Sequence, residues 1–212
     1  MEGRIQLIQS KSGYRFSVDA LLISEFITIR NGDTVIDLGT GCGVIPLILI
    51  LTRPVKHVIG IEIQDELADQ AMRNALLNNS EGKMSIIRGD IRQIPFCSAS
   101  ADVVVCNPPY RKMNSGRLNP DEQKAIARHE ILASLDDILK AAKSVLKTKG
   151  RIAMIYPAER MTDLLVMMRE LQLEPKRLKI IYPTSRSEAK LVMIEACYRG
   201  RVGIKILPPL EG

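Results

Sequence analysis

Asn107-Pro108-Pro109-Tyr110 is the segment of this chain best suited to hold a small polar group in a fixed place. Two consecutive prolines remove two backbone donors and fix both φ angles at about −65°. Asn107 precedes a proline and is driven to extended backbone. The result is a rigid ledge offering an amide oxygen, a carbonyl and an aromatic ring. An exocyclic amine lying there could donate one N–H to the Asn107 side-chain oxygen and the other to the Pro108 carbonyl, which leaves its lone pair turned toward an electrophile. Tyr110 can stack on a planar base. The bland alternative is a Pro-Pro turn that merely closes a strand. Aromatic residues make up only 4% of the chain, so one at this point has few accidental explanations.

A second constellation precedes the ledge. Asp37-Leu-Gly39-Thr-Gly41-Cys-Gly43 follows an apolar run and opens a helical one. Glycines at 39, 41 and 43 allow a tight turn and close approach of backbone to a ligand. Glu62 ends the next apolar run and could accept both hydroxyls of a ribose. Asp90 ends the third run, in Arg88-Gly89-Asp90, and could accept from an adenine amino group. Ile63 and Ile91, which follow the two carboxylates, complete the candidate nucleoside site. NAD and S-adenosylmethionine both present an adenosine ribose. A dinucleotide site reads Gly-x-Gly-x-x-Gly, with a pyrophosphate against the helix N-terminus. Here the third glycine comes one residue early and Asp37 precedes the loop, and a carboxylate there suits an amino-acid ammonium better than a pyrophosphate. The pattern favours S-adenosylmethionine.

In this order, these motifs resemble the class I S-adenosylmethionine-dependent methyltransferases that modify amino or amide nitrogens. The resemblance covers roughly Ser17 to Tyr198. It implies a methyl transfer at the Asn107–Tyr110 ledge, and it places Asp19 near the methionine end of the cofactor. The tetrapeptide is shared by enzymes acting on adenine N6, on guanine N2 and on glutamine. Adenine-specific DNA enzymes usually carry a target-recognition region, and no insertion here is large enough. Glutamine methyltransferases of release factors carry a helical N-terminal domain, whereas only about 33 residues precede the first strand. The remaining pattern is most similar to the bacterial valine-tRNA adenine-N6 methyltransferase family. It includes Gly13-Tyr-Arg-Phe-Ser-Val-Asp19-Ala-Leu-Leu, Ala127-Arg-His-Glu130 and Ser187-Glu-Ala-Lys190. Arg111-Lys112 departs from it, because such enzymes often carry an aromatic or small residue after the tyrosine. Two alternatives stay open: a glutamine-amide N5 methyltransferase of a protein, and an RNA-binding module that kept the fold but lost catalysis.

Charge bears on the partner. From Lys140 to Lys205 there are fifteen Lys and Arg against six Asp and Glu, while the remainder is slightly acidic. Such asymmetry is compatible with a polyanion such as tRNA or another structured RNA, and equally with a solvated basic face. Arg111, Lys112, Arg117, Lys124 and Arg128 crowd a stretch after the ledge that is suited to phosphates. Arg186 and Lys190, near the last hairpin, are expected to flank the pocket with Arg111, Lys112 and Arg117. His129-Glu130 is read as ordering this segment rather than as a base.

These residues need a scaffold that brings successive strand ends together. Strands are expected at Thr34–Leu38, His57–Ile63, Met84–Arg88, Ala101–Cys106, Arg151–Tyr156, Arg177–Tyr182 and Leu191–Tyr198. Helices are expected at Val18–Ile29, Val44–Thr52, Gln64–Asn79, from Ser134 to near Gly150, and at Ala158–Leu171. In the third of these, Leu67, Ala71, Ala75 and Asn78 would share a face. Alternation of this kind predicts an α/β, Rossmann-like class I methyltransferase fold: a seven-stranded, mostly parallel sheet with helices on both faces. The last two strands are joined by only about eight residues, so one of them must be antiparallel. Ile5 to Phe16 reads as a small hairpin around Ser12-Gly13. The organisation expected is an N-terminal extension over 1–30, a methyltransferase domain over 31–200 and a tail over 201–212, poorly ordered or docked on a neighbour.

Composition narrows the class. Apolar residues at 46% and charged residues at 25% are ordinary for a globular chain of 212 residues, and exclude disordered, collagen-like and coiled-coil classes. The longest apolar stretch, Val44 to Leu51, is far short of the roughly 20 residues of a membrane span. No signal segment opens the chain, so a cytoplasmic location is expected. Four cysteines without Cys-x-x-Cys spacing, and only two histidines, predict free thiols and no metal site.

Overall fold

Thr34–Leu38 (β1), His57–Glu62 (β2), Met84–Arg88 (β3) and Ala101–Cys106 (β4) are short runs dominated by β-branched and apolar residues, and they pair in parallel in one sheet, with β3 at its edge. Their alternation divides them between two helical layers. Ile36, Leu38, Val104 and Cys106 face one core, whereas Val35, Val103 and Val105 face the other. The computed structural model describes residues 5–9, 18–94, 96–108, 133–184 and 186–211.

On the first face lie Leu135–Val145 (α4) and Met161–Glu170 (α5), which bury Leu139, Ala142, Leu164 and Met168. Val18–Phe26 (α1) and Val44–Thr52 (α2) cover the second face with Ile23, Phe26, Ile45 and Ile48. Asp65–Leu77 (α3) packs its small residues Ala71 and Ala75 against Leu47 and Met84. The buried face of α3 differs from the expected one: Ala68, Gln70 and Asn74 join Ala71 and Ala75, while Leu76 is largely exposed. A strip of small side chains lets the helix approach closely, so the longer leucines are displaced outward.

The sheet order is β3-β2-β1-β4-β5-β7-β6, with Leu146–Pro157 as β5, Leu173–Tyr182 as β6 and Leu191–Tyr198 as β7. β7 is the reversed strand, antiparallel to both β5 and β6. Several boundaries differ from the expected ones. α1 stops at Phe26, three residues early. α4 does not reach Gly150, because the chain turns extended at Leu146, whose N–H still caps Ala142. A bulge opposite Ala101–Val103, with Lys149 at φ 66°, accommodates the early start of β5. A 3-10 turn at Ala158–Arg160 precedes α5, so that helix begins later than its apolar pattern suggested.

The tail and the N-terminal segment correct two further expectations. Lys205–Ile206 (β8) and Leu210–Glu211 (β9) each pair in parallel with β6, so the tail is part of the sheet and extends it to nine strands. Residues 5–9 form no hairpin strand and lie instead along α3, held by side-chain amides. The remainder of the expected hairpin, residues 10–16, lies outside the described residues. No helix of the described residues is long and apolar enough to cross a membrane.

A buried polar cluster ties the second layer to the sheet. Arg151 pairs with Asp33 and donates to the Thr28 carbonyl at 3.0 Å. Glu195 accepts from the Thr28 N–H and hydroxyl, and Arg177 reaches the same hydroxyl at 2.7 Å. These cations of the basic half are therefore structural.

Candidate active site

Register determines what meets at the carboxyl ends of the strands. Leu38 pairs with Ile61 on one side and with Cys106 on the other. The next residues, Glu62, Gly39 and Asn107, therefore leave three adjacent strands at one level, within about 10 Å of one another. This is the crevice where open α/β sheets take ligands. The glycine loop is tied to the neighbouring strand by the Gly39 and Thr40 N–H groups, which donate to the Ile61 carbonyl at 3.0 and 2.9 Å.

The loop is left-handed at Gly39, Gly41 and Gly43, with φ of 74°, 58° and 82°. At Gly39 and Gly41 a Cβ would meet nothing within 4 Å, so that side of the loop is open to a ligand. Gly43 serves packing: a Cβ there would lie 2.6 Å from Met84 Cε and 3.1 Å from Ala71 Cβ. Gly60, which the sequence reading did not single out, plays a similar part, because a Cβ there would come within 2.8 Å of the Thr40 side chain.

Thr40 matters because its hydroxyl donates to Asp37 Oδ2 at 2.7 Å. Asp37 is 1% exposed, and its Oδ1 has no hydrogen-bond partner among the described residues. Burial pushes its carboxyl up to about 7; the Thr40 bond works against that shift and the charge of Glu62 adds to it. A buried carboxylate oxygen without a donor is costly, and it is what an ammonium group would satisfy.

Glu62 is 5% exposed and already organises the loop. Its Oε2 accepts from the Gly41 N–H and its Oε1 from the Gln64 N–H, both at 2.9 Å. Each oxygen keeps a lone pair for a further donor. Ile63 beside it is 36% exposed, an apolar side chain at the rim. Asp90 begins a 3-10 turn and is held by its neighbour: it accepts from the backbone N–H of Arg92 and pairs with the Arg92 guanidinium, which lowers its carboxyl below the usual range. Its acceptor capacity is thus shared with Arg92, which the sequence reading did not foresee. Ile91 packs at the edge of the core under α4.

Asn107 is half-buried and Pro108 is buried directly after β4. Pro109, Tyr110, Arg111, Lys112, Arg117, His129 and Glu130 lie outside the described residues. Asp19 sits in the first turn of α1, which packs against α2. Two buried thiols lie beside the site. The Cys106 Sγ donates to the Leu38 carbonyl at 3.2 Å, and burial, with Asp37 adding, raises it well above its ordinary range. Cys42 is raised by burial as well. Among the described residues no group of three His, Cys, Asp or Glu could hold a metal ion.

The basic half divides. The 183–190 hairpin joins β6 to β7 at the same end of the sheet as Asn107, and Arg186 and Lys190 are exposed on it. A shallow groove lined by Lys140, Lys143, Leu146, Leu171 and Arg199 opens at the amino ends of the strands, away from the glycine loop. Part of the basic excess therefore lies away from the ledge, whereas Arg186 and Lys190 lie at its end of the sheet.

Comparison with known proteins agrees with this arrangement. A relative from Porphyromonas gingivalis strain ATCC 33277, named tRNA1(Val) (adenine(37)-N6)-methyltransferase, is 31% identical over 76% of this chain and 66% of its own. One of the same name from strain W83 is 36% identical over 61% and 51%, and one from Aliivibrio salmonicida is 28% identical over 68% and 61%. The chain thus spans half to two thirds of the length of these relatives. Among solved structures, a predicted O-methyltransferase of Agrobacterium tumefaciens shares the fold with a TM-score of 0.73 at 16% identity, covering 91% of this chain and 86% of its own. Geranyl diphosphate C-methyltransferase of Streptomyces coelicolor, solved with S-adenosyl-L-homocysteine, shares it with a TM-score of 0.62 at 15% identity over 84% and 74%. The methyltransferase domain model matches residues 29–200, the span from just after α1 through β7 that carries the glycine loop, both strand-end carboxylates and the ledge, and the chain belongs to that family.

Proposed function

We propose that this protein transfers a methyl group from S-adenosylmethionine to an exocyclic adenine N6 of RNA, with the anticodon loop of valine tRNA as substrate. The observation that carries the reading is the level row of Glu62, Gly39 and Asn107 on adjacent strands, which sets a nucleoside-binding carboxylate and an amine-holding amide on either side of one glycine loop. The names of the relatives favour an RNA adenine over a glutamine amide.

The residues fit the cofactor. The unpartnered Asp37 oxygen matches its ammonium, and Glu62 has lone pairs left for a ribose. Ile63 and Ile91 flank the position for its base, with Asp90 accepting from the base amine; Asp19 completes the methionine end. When bound, the cofactor supplies a methyl group made electrophilic by a sulfonium. The work of the chain is then positioning. Asn107 and the Pro108 carbonyl accept the two N–H groups of the adenine amine and leave its lone pair free, while Pro109 stiffens the ledge and Tyr110 stacks on the base. Holding both reactants in line supplies much of the acceleration. The base leaves its stack at a cost of a few kcal/mol. Arg111, Lys112, Arg117, Arg186 and Lys190 take the phosphates, and the reaction is cytoplasmic, where tRNA is modified.

Incubation with methyl-labelled cofactor and either total tRNA or release factor tests this directly. Label should enter tRNA as N6-methyladenosine. Label confined to the protein fraction would overturn the reading in favour of a glutamine amide.

A further inference from the structure

Residues 5–9 are bound to α3 as though to a neighbouring strand. The Gln6 N–H donates to Asn78 Oδ1 at 3.0 Å, and Asn78 Nδ2 donates back to the Gln6 carbonyl at 2.8 Å. One helical turn earlier, the Ile8 N–H donates to Asn74 Oδ1 at 2.6 Å, and Asn74 Nδ2 donates to the Ile8 carbonyl at 3.1 Å. Each side-chain amide thus imitates a peptide group. The match is metrical: four residues of helix advance about 6 Å, and two residues of extended chain advance about 6.6 Å. The alternate residues Ile5 and Leu7 turn inward against the small core of Leu47, Ala71, Ala75 and Met84.

Asn74 has a second attachment. Its Nδ2 also donates to the Cys42 carbonyl at 2.9 Å, in the glycine loop, and Gln9 Nε2 meets Cys42 Sγ at 3.4 Å. Asn74 is fully buried with residues 5–9 seated, so unseating them would cost its carbonyl and one of its amide hydrogens their partners. One buried amide thereby holds both the strap and the loop.

We infer that Asn74 is a positioning residue that couples the seating of residues 5–9 to the glycine loop, so that strap occupancy and cofactor affinity rise together. The inference rests on the cofactor reading above. Coupling of this kind is reciprocal: if the seated strap favours the ligand, the ligand favours the seated strap by the same factor.

The test combines calorimetry with S-adenosylhomocysteine and amide hydrogen exchange at Gln6 and Ile8. Ile8→Pro deletes the donated N–H while leaving Asn74, α3 and the Cys42 bond in place. It should weaken S-adenosylhomocysteine by about fivefold or more. Ile8→Ala keeps the N–H and should bind as the unaltered protein does. In the unaltered protein, the ligand should slow exchange at both amides. Equal losses in the Pro and Ala variants, unchanged affinity in Ile8→Pro, or exchange insensitive to ligand would each overturn the coupling while leaving the cofactor reading intact. Absence of any binding to the unaltered protein would remove the cofactor reading, and the coupling with it.

Discussion

The Thr40 hydroxyl and the Asp37 carboxylate meet at 2.7 Å inside the turn that opens the glycine loop, and the bond satisfies only one of the two carboxylate oxygens. Gly60 on the adjacent strand provides the room for that threonine. Two strand residues, Asp37 and Gly60, and Thr40 of the loop between them therefore hold one half-satisfied buried acid beside the glycine loop.

That acid makes ligand binding depend on pH. With its carboxyl raised to about 7, Asp37 is largely protonated at pH 6 and must ionise to receive an ammonium. Affinity for S-adenosylhomocysteine should rise as pH increases from 5 to 7, by up to about tenfold per unit, and level off above. Calorimetry at pH 6 in buffers of different ionisation enthalpy should report about one proton released per ligand. Asp37→Asn should bind weakly with no proton release.

The same group sets a trade against stability. Its folded value lies above its unfolded one, so its favourable contribution is complete below the unfolded value of 3.8 and is lost as pH rises through about 7. Asp37→Asn should leave the free protein little changed at pH 4 and stabilise it at pH 8, by at most about 4 kcal/mol. Thermal melts across that range would show the gap opening with pH; a gap that closes instead would mean the acid is paired.

Gly60→Ala should act on the site without touching a ligand. The added methyl collides with the Thr40 side chain, which must leave Asp37. The expected cost is about 1–3 kcal/mol of stability, with weaker S-adenosylhomocysteine binding in calorimetry. Thr40→Val should reproduce the binding loss.

Asn107→Ala should separate binding from chemistry. It removes an acceptor for the amine and leaves the glycine loop and Glu62 untouched, so S-adenosylhomocysteine affinity should hold while methyl transfer to tRNA falls roughly 100-fold. Loss of affinity with turnover retained would reverse the roles assigned to the ledge and the loop.

Arg186→Glu combined with Lys190→Glu should weaken tRNA binding and lower its log–log salt slope by about 2, with cofactor affinity unchanged. Both residues are exposed on the hairpin at the Asn107 end of the sheet. A salt titration matching the unaltered protein would take the hairpin out of the RNA footprint.

Residues whose role follows from local backbone were the most legible. The first four strands start where their apolar runs start, and three of them end as expected, because each is short and bounded by turn residues, and β1 and β4 are buried on both faces. The glycine loop, Glu62 and Asn107 could be placed because strand ends in this topology converge. Side chains that act across the fold were not legible. Asn74 reads as a polar interruption of a helix until the strap and the Cys42 carbonyl are found on either side of it. Thr40 and Gly60 are unremarkable apart and meaningful only in register. β8 and β9 were missed because two-residue strands carry no periodicity. The charge excess could not be apportioned for a related reason: Arg151 and Arg177 pair with Asp33 and Glu195, and others line the far end of the sheet.

The pairing of the tail with β6 has a bearing on how the molecule behaves in a crowd. β6 would otherwise end the sheet with a row of unpaired N–H and C=O groups, the kind of template on which other chains add as strands. Ile206 covers it opposite Leu178, and Leu210 covers it opposite Ile181, so two separate stretches of the edge are occupied from within. The cover itself carries Val202 and Ile206 at 78% and 68% exposure, interleaved with glycine and lysine. Chains trimmed before residue 204 should retain the site and yet form β-rich aggregates on standing, because the barrier against self-templating lies in a segment that takes no part in chemistry.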